Sequence, residues 1–211
     1  MKIAVVDYGM GNLRSVSKAL EQVAGKATVQ VTSDGALVRS ADRVVFPGQG
    51  AMPDCMRELQ SRGLRDAVVD AAHNKPFLGI CIGLQMLFDG SDEGNVPGLG
   101  VFPGRVVRFP ENLMRGAPDG PLKVPHMGWN EVVQRREHPM WTGIASGERF
   151  YFVHSYFASP GASDIVAAES TYGLRFACAV ARENVFAVQF HPEKSADCGL
   201  RLLANFIDWK A

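Results

Sequence analysis

Between residues 2 and 80 the chain alternates apolar runs of strand length with segments whose apolar residues recur at helical spacing, and that alternation leaves few folds open. Lys2–Val6, Ala27–Val31, Arg43–Phe46 and Pro76–Ile80 read as strands. Asn12 stands where a cap belongs, ahead of a helix with the apolar stripe Leu13, Val16, Leu20 and Val23. Met56, Leu59, Leu64, Ala67, Val68 and Ala71 mark a helix between Met56 and Ala72, and Ile82–Phe88 reads as another after the fourth strand. The pattern predicts a parallel sheet covered by helices.

The grammar changes near Gly94. Gly and Pro now separate short alternating segments, and Val101–Phe109, Asn130–Val133, Arg149–Phe157, Asp164–Ser170, Phe176–Ala181 and Val185–Phe190 read as antiparallel or mixed strands. A last helix, Ala196–Lys210, turns Cys198, Leu202, Leu203, Phe206 and Ile207 inward, and Glu111–Pro121 is the candidate mobile loop. With 211 residues, 46% of them hydrophobic, and no repeat or linker, the expectation is one α/β domain over residues 1–211.

Charge narrows the partners. Lys+Arg and Asp+Glu both number 22, so no basic excess exists to meet a phosphate backbone, and nucleic acid is not expected. The apolar start ends at Asp7, too soon for a signal peptide, and no run approaches membrane-spanning length, which predicts a cytoplasmic protein with no membrane association. Cys55, Cys81, Cys178 and Cys198 are scattered, with no CxxC pair and no His at ligand spacing. Free thiols and no metal site are expected.

Gly79-Ile80-Cys81-Ile82-Gly83 lies between an apolar strand and a helix, as a thiol version of the nucleophile elbow G-x-S-x-G does. A sharp strand-to-helix turn presents the nucleophile above the sheet and needs small neighbours two residues away. A helix N-terminus also favours thiolate, and the amide of Ile82 points where an oxyanion would form. His191-Pro192-Glu193 follows the apolar strand Val185–Phe190. On an extended segment residues two apart share a face, so Glu193 can reach the His191 imidazole, fix its tautomer and stabilise its charged form. Both motifs fall at strand C-termini, where open α/β sheets build their sites.

On these residues the chain resembles the class I, triad-type glutamine amidotransferases over its whole length. The resemblance implies an α/β fold of flavodoxin-like type, a three-layer sandwich with a mainly parallel central sheet and additional antiparallel strands in the second half. It implies a triad of Cys81, His191 and Glu193 that uses no cofactor and no metal. Pro47-Gly48-Gln49-Gly50 matches the family's oxyanion loop, with Gln49 where Val is more usual; this implies the Gln49 amide as second donor beside Ile82 and sets Gly48 at the substrate. Gln85 matches the substrate-binding Gln, and Glu93 the acidic residue that meets the α-ammonium of glutamine. In His154-Ser155-Tyr156, the implied ligands of the α-carboxylate are the amides of Ser155 and Tyr156.

Asp7-Tyr8-Gly9-Met10-Gly11-Asn12 and Pro125-His126-Met127-Gly128-Trp129-Asn130 are similar to signatures of one branch, the glutaminase subunits of imidazole glycerol phosphate synthase in histidine biosynthesis. That implies hydrolysis of glutamine to glutamate and ammonia. The ammonia then passes to a separate (β/α)₈ synthase subunit, the heterodimer partner, which makes imidazole glycerol phosphate and aminoimidazole carboxamide ribotide. Two other readings stay open on the residues alone: a stand-alone thiol γ-glutamyl hydrolase, and a non-catalytic partner domain.

Overall fold

The structure, a computed structural model, describes residues 1–116 and 120–211. Its first half runs β1 (Lys2–Val6), α1 (Leu13–Val23), β2 (Thr28–Thr32), α2 (Gly35–Ser40), β3 (Arg43–Gly48), α3 (Met52–Ser61), α4 (Arg65–Asn74), β4 (Phe77–Cys81) and α5 (Ile82–Gln85). The second half adds β5 (Phe88–Ser91), β6 (Val96–Pro97), β7 (Phe102–Arg108), α6 (Glu111–Arg115), β8 (His126–Glu131) and β9 (Val133–Gln134). It ends with β10 (Arg149–His154), β11 (Tyr156–Pro160), β12 (Val166–Tyr172), β13 (Leu174–Arg182), β14 (Val185–Val188) and α7 (Ala196–Asp208).

The main sheet has the order β2-β1-β3-β4-β14-β13-β11-β7-β5-β6, with β12 on β13 and β9 on β12. From β2 through β14 every neighbour is parallel, whereas β14, β13, β11 and β7 pair antiparallel in turn. This is the expected α/β fold: a parallel centre with antiparallel strands added from the second half. The path moves outward from β1 to β2, then crosses back to β3, so right-handed crossovers put α1 and α2 on opposite faces. α1 packs with α7, and α2 with α4. Covered on both faces, β3, β4 and β14 are buried at every residue, which is why their sequences are apolar almost throughout. Among the described residues no helix is long and apolar enough to cross a membrane.

Several expectations need correction. Asn12 makes no side-chain cap on α1. The second strand begins one residue late, at Thr28, and the short α2, with only Val38 buried, had not been anticipated. The helix expected over Met56–Ala72 is two helices. Gly63 adopts φ +65°, its amide bonds Gln60 O and the Leu64 amide bonds Leu59 O. That is a Schellman stop, and the apolar spacing merely continues across it. The helix expected over Ile82–Phe88 ends after one turn, because the amides of Leu99, Val101 and Phe102 take the carbonyls of Met86 and Leu87. Arg149–Phe157 is not one strand: β10 pairs with β8 in a two-stranded ribbon, while β11 joins the main sheet. Cys198 on α7 packs against the core but is only partly buried, with its sulfur 3.5 Å from Glu148 Oε2. Of the loop expected over Glu111–Pro121, Glu111–Arg115 is helical and residues 117–119 lie outside the described residues.

Candidate active site

β4 delivers Cys81 at the point where the sheet ends and α5 begins. Cys81 has φ 55° and ψ −110°, a backbone state that residues with a Cβ rarely adopt. The flanking glycines are explained by distance. A Cβ on Gly83 would lie 1.8 Å from Phe46 O, and one on Gly79 would lie 3.0 Å from both Ala187 Cβ and Gly83 O. Any side chain at 83 would hold the turn away from β3, while one at 79 would crowd Ala187 on β14.

The chain leaving β14 carries Gln189, His191 and Glu193. His191 Nδ1 lies 2.8 Å from Glu193 Oε1, and both side chains are buried. The contact is not made along an extended segment as expected. Pro192–Lys194 forms a single 3₁₀ turn, closed by Lys194 N on His191 O and fastened by Ser195 Oγ on the same carbonyl at 2.6 Å. The turn folds the carboxylate back onto the ring. His191 Nε2 has no partner of full hydrogen-bond geometry among the described residues, but the Cys81 sulfur is near enough to act on its charge. Burial opposes a charged ring; the pull of Cys81, then of Glu193, outweighs it and raises the His191 pKa from 6.5 to about 10. A protonated imidazole beside a nucleophilic sulfur suits acyl transfer, because the ring can both stabilise thiolate and protonate a leaving amine.

Cys81 and His191 open into a cleft of about 230 Å³ whose walls include Gln49, Ile82, Gln85, Glu93, Ser155 and Tyr156. Gly48 lies behind it: buried, paired in register with Cys81, and so close to Tyr8 that a Cβ would sit 2.3 Å from the phenol oxygen. Glu93 reaches the wall while its Oε2 accepts the amide of Met52 at 2.8 Å, anchoring the start of α3. Gln85 Nε2 donates to Tyr156 O at 3.0 Å.

His154 is a satisfied core histidine. Its Nδ1 lies 2.9 Å from Tyr156 O, which can only accept, so Nδ1 carries the proton and Nε2 accepts from His126 Nδ1 at 3.0 Å. His126 Nε2 in turn takes Asn130 Nδ2 at 3.3 Å. Burial lowers the pKa of His126 to about 4 and of His154 to about 3, so the chain of donors is neutral at physiological pH.

Gln189 went unnoticed in the sequence, although its Nε2 is 3.7 Å from the Cys81 sulfur. The same period-two spacing that picked out His191 and Glu193 extends back to it. Beyond the cleft, Met127 and Trp129 on the β8–β10 ribbon are 62% and 48% exposed, unusual for side chains of their size.

The family model described as glutamine amidotransferase class-I matches residues 4–209. A protein of Aromatoleum aromaticum described as imidazole glycerol phosphate synthase subunit HisH is 69% identical over 207 residues, 98% of each chain. One of Dechloromonas aromatica with the same description is 66% identical over 208 residues, 99% of this chain and 96% of that one. Among solved structures, PurLQS from Thermotoga maritima has a TM-score of 0.71 at 18% identity, covering 98% of this chain and 97% of that one. The glutaminase domain of Trypanosoma brucei CTPS has a TM-score of 0.65 at 18% identity, covering 100% of this chain and 95% of that one. At such identities these two speak for the fold alone.

Proposed function

Because the chain belongs to the class-I glutamine amidotransferase family, we propose that it hydrolyses glutamine to glutamate and ammonia and hands the ammonia to a separate (β/α)₈ synthase subunit. With it, the chain forms the heterodimer that makes imidazole glycerol phosphate and aminoimidazole carboxamide ribotide. The observation that carries the reading is the meeting of Cys81 and His191 on one cleft, with Glu193 bonded to the imidazole from behind. The names of the relatives above supply the particular synthase.

The Cys81 thiolate attacks the side-chain carbonyl of glutamine, and the amides of Ile82 and Gln49 take the oxyanion charge. The protonated His191 gives its proton to the departing ammonia, leaving a γ-glutamyl thioester. Neutral His191 then draws a proton from water, which attacks the thioester and regenerates the thiolate as glutamate leaves. Glu193 holds the ring throughout. Glutamine is held by Gln85, by Glu93 at its α-ammonium and by the amides of Ser155 and Tyr156 at its α-carboxylate, while Gly48 lets the oxyanion segment approach. The whole chain serves as one amidotransferase domain, working in the cytoplasm, where its four free thiols stay reduced.

The exposed Met127 and Trp129 give the synthase subunit an apolar place to dock, beside the cleft wall that Pro125 forms. In the reconstituted pair, Cys81→Ala is expected to abolish synthesis from glutamine and to preserve synthesis from added ammonium. Ammonia release from glutamine by that variant would refute the assignment. Full hydrolysis by the isolated wild-type chain would mark a stand-alone thiol hydrolase instead.

A further inference from the structure

Gln189 is fully buried and sits two residues before His191. Its Oε1 accepts from Gln85 Nε2 at 3.0 Å, and its Nε2 faces the Cys81 sulfur at 3.7 Å. Gln85, itself buried, spends its other N–H on Tyr156 O and leaves its Oε1 without a partner among the described residues.

The sense of every bond in this chain is forced. A main-chain carbonyl only accepts, so the nitrogen of Gln85 must face Tyr156. Both of its hydrogens are then used, and Gln189 must turn its oxygen toward Gln85. The nitrogen of Gln189 is left for Cys81, where an N–H donor favours negative charge on sulfur. The same assignment leaves the remaining Gln85 oxygen a buried acceptor without a partner among the described residues, on a side chain that borders the cleft, so that an N–H group of the substrate can satisfy it. Glutamine brings such groups in its α-ammonium and its side-chain amide.

We propose that Gln189 is a positioning residue of the glutamine-hydrolysing site, which holds the Gln85 carbonyl toward the substrate's N–H donors and gives its own N–H to the Cys81 thiolate. This rests on the glutaminase reading above, and one readout is therefore chosen to need no glutamine.

In the complex with the synthase subunit, Gln189→Leu removes both contacts. It is expected to lower kcat and to raise KM for glutamine, each about tenfold. Alkylation of Cys81 by iodoacetamide at pH 7, followed by peptide mass mapping, should slow by about tenfold, with the half-exposed Cys198 as the unchanged internal reference. Gln189→Glu keeps the acceptor for Gln85 but offers the sulfur a hydrogen only while its carboxyl is protonated. Its kcat should fall with rising pH where the wild-type value does not, with KM near the wild-type value. A Gln189→Leu variant that alkylates Cys81 and hydrolyses glutamine at wild-type rates overturns the proposal. If that variant does not fold, a Gln189→Glu profile identical to wild type overturns it. Wild-type Cys81 that alkylates faster than in Gln189→Leu, in a complex that never hydrolyses glutamine, supports the role of Gln189 and defeats the glutaminase reading.

Discussion

Replacing Gly83 with alanine adds one methyl group in the first turn after Cys81, and the surrounding atoms set the size of the response. Gly83 is helical, so alanine would gain about 1 kcal/mol from helix propensity alone. Against that, the new Cβ would stand 1.8 Å from Phe46 O and 2.9 Å from Phe46 C, main-chain atoms of a fully buried strand. Ordinary contact requires β3 and α5 to part by more than ~1 Å. Overpacking of a rigid core costs about 1–3 kcal/mol, and a main-chain clash belongs at the top of that range. The net loss should be about 2 kcal/mol of unfolding free energy. The elbow that carries Cys81 moves with α5, and displacement of a reacting group by ~1 Å costs on the order of 10² in kcat. Urea unfolding and glutamine hydrolysis by the reconstituted pair measure both quantities. Gly63→Ala is the control: among the described residues nothing lies within 4 Å of its Cβ, but φ is +65°, so it should lose about 1–2 kcal/mol of stability and no turnover. Wild-type stability and activity in Gly83→Ala would refute the reasoning, as would an equal loss of turnover in both variants.

Glu193→Gln keeps the shape beside His191 but removes a charge that raises its pKa; kcat should fall by about 10²–10⁴, and the alkaline limb of the rate profile, set by loss of the ring proton near pH 10, should move to lower pH. An unmoved limb would show that Glu193 does not act on the ring. Acid should destabilise the fold: His154, depressed to about 3 by burial, takes up its proton near pH 6.5 only when unfolded, so stability present above pH 6.5 drains as pH falls toward 3. The slope from His154 alone approaches ~1.4 kcal/mol per pH unit, and denaturant unfolding at pH 7, 5.5 and 4.5 that gave a flat line would contradict it. Trp129→Ala should weaken binding to the synthase subunit roughly 10–100-fold with little change in Tm, since its side chain is 48% exposed and its ring centroid stands 6.2 Å from that of Tyr151; titration calorimetry giving wild-type affinity would remove the ribbon from the interface.

The parts of this molecule that could be read in advance are those governed by local rules. Phe77–Cys81 announced itself because a strand buried on both faces has to be apolar, and because the elbow needs glycine at 83 and a small residue at 79. Other features depend on partners distant in sequence. Arg149–Phe157 contains no glycine or proline to mark a break, and only its pairing with His126–Glu131 on one side of Ser155 and Phe102–Arg108 on the other divides it. The carbonyls that stop α5 are claimed by residues 99–102, which no propensity near Gln85 reveals. The stop at Gly63 was in fact legible; the apolar positions Leu59 and Leu64 masked it by keeping helical spacing across the break. Gln189 carries no motif of its own, and its place emerges only when Gln85 and Cys81 are folded around it.

Ser155 is the joint where one uninterrupted length of chain quits the outlying ribbon and enters the body of the protein. Cys81 and His191 belong to the body, rooted in strands that water never reaches, whereas Ser155 and Tyr156 sit on the seam. A load placed on the ribbon from outside arrives first at the end of the cleft proposed above to hold the backbone groups of glutamine. Control exerted there tunes how firmly the amino acid is kept before it touches the sulfur's reactivity, and its signature is a change in KM ahead of any change in kcat.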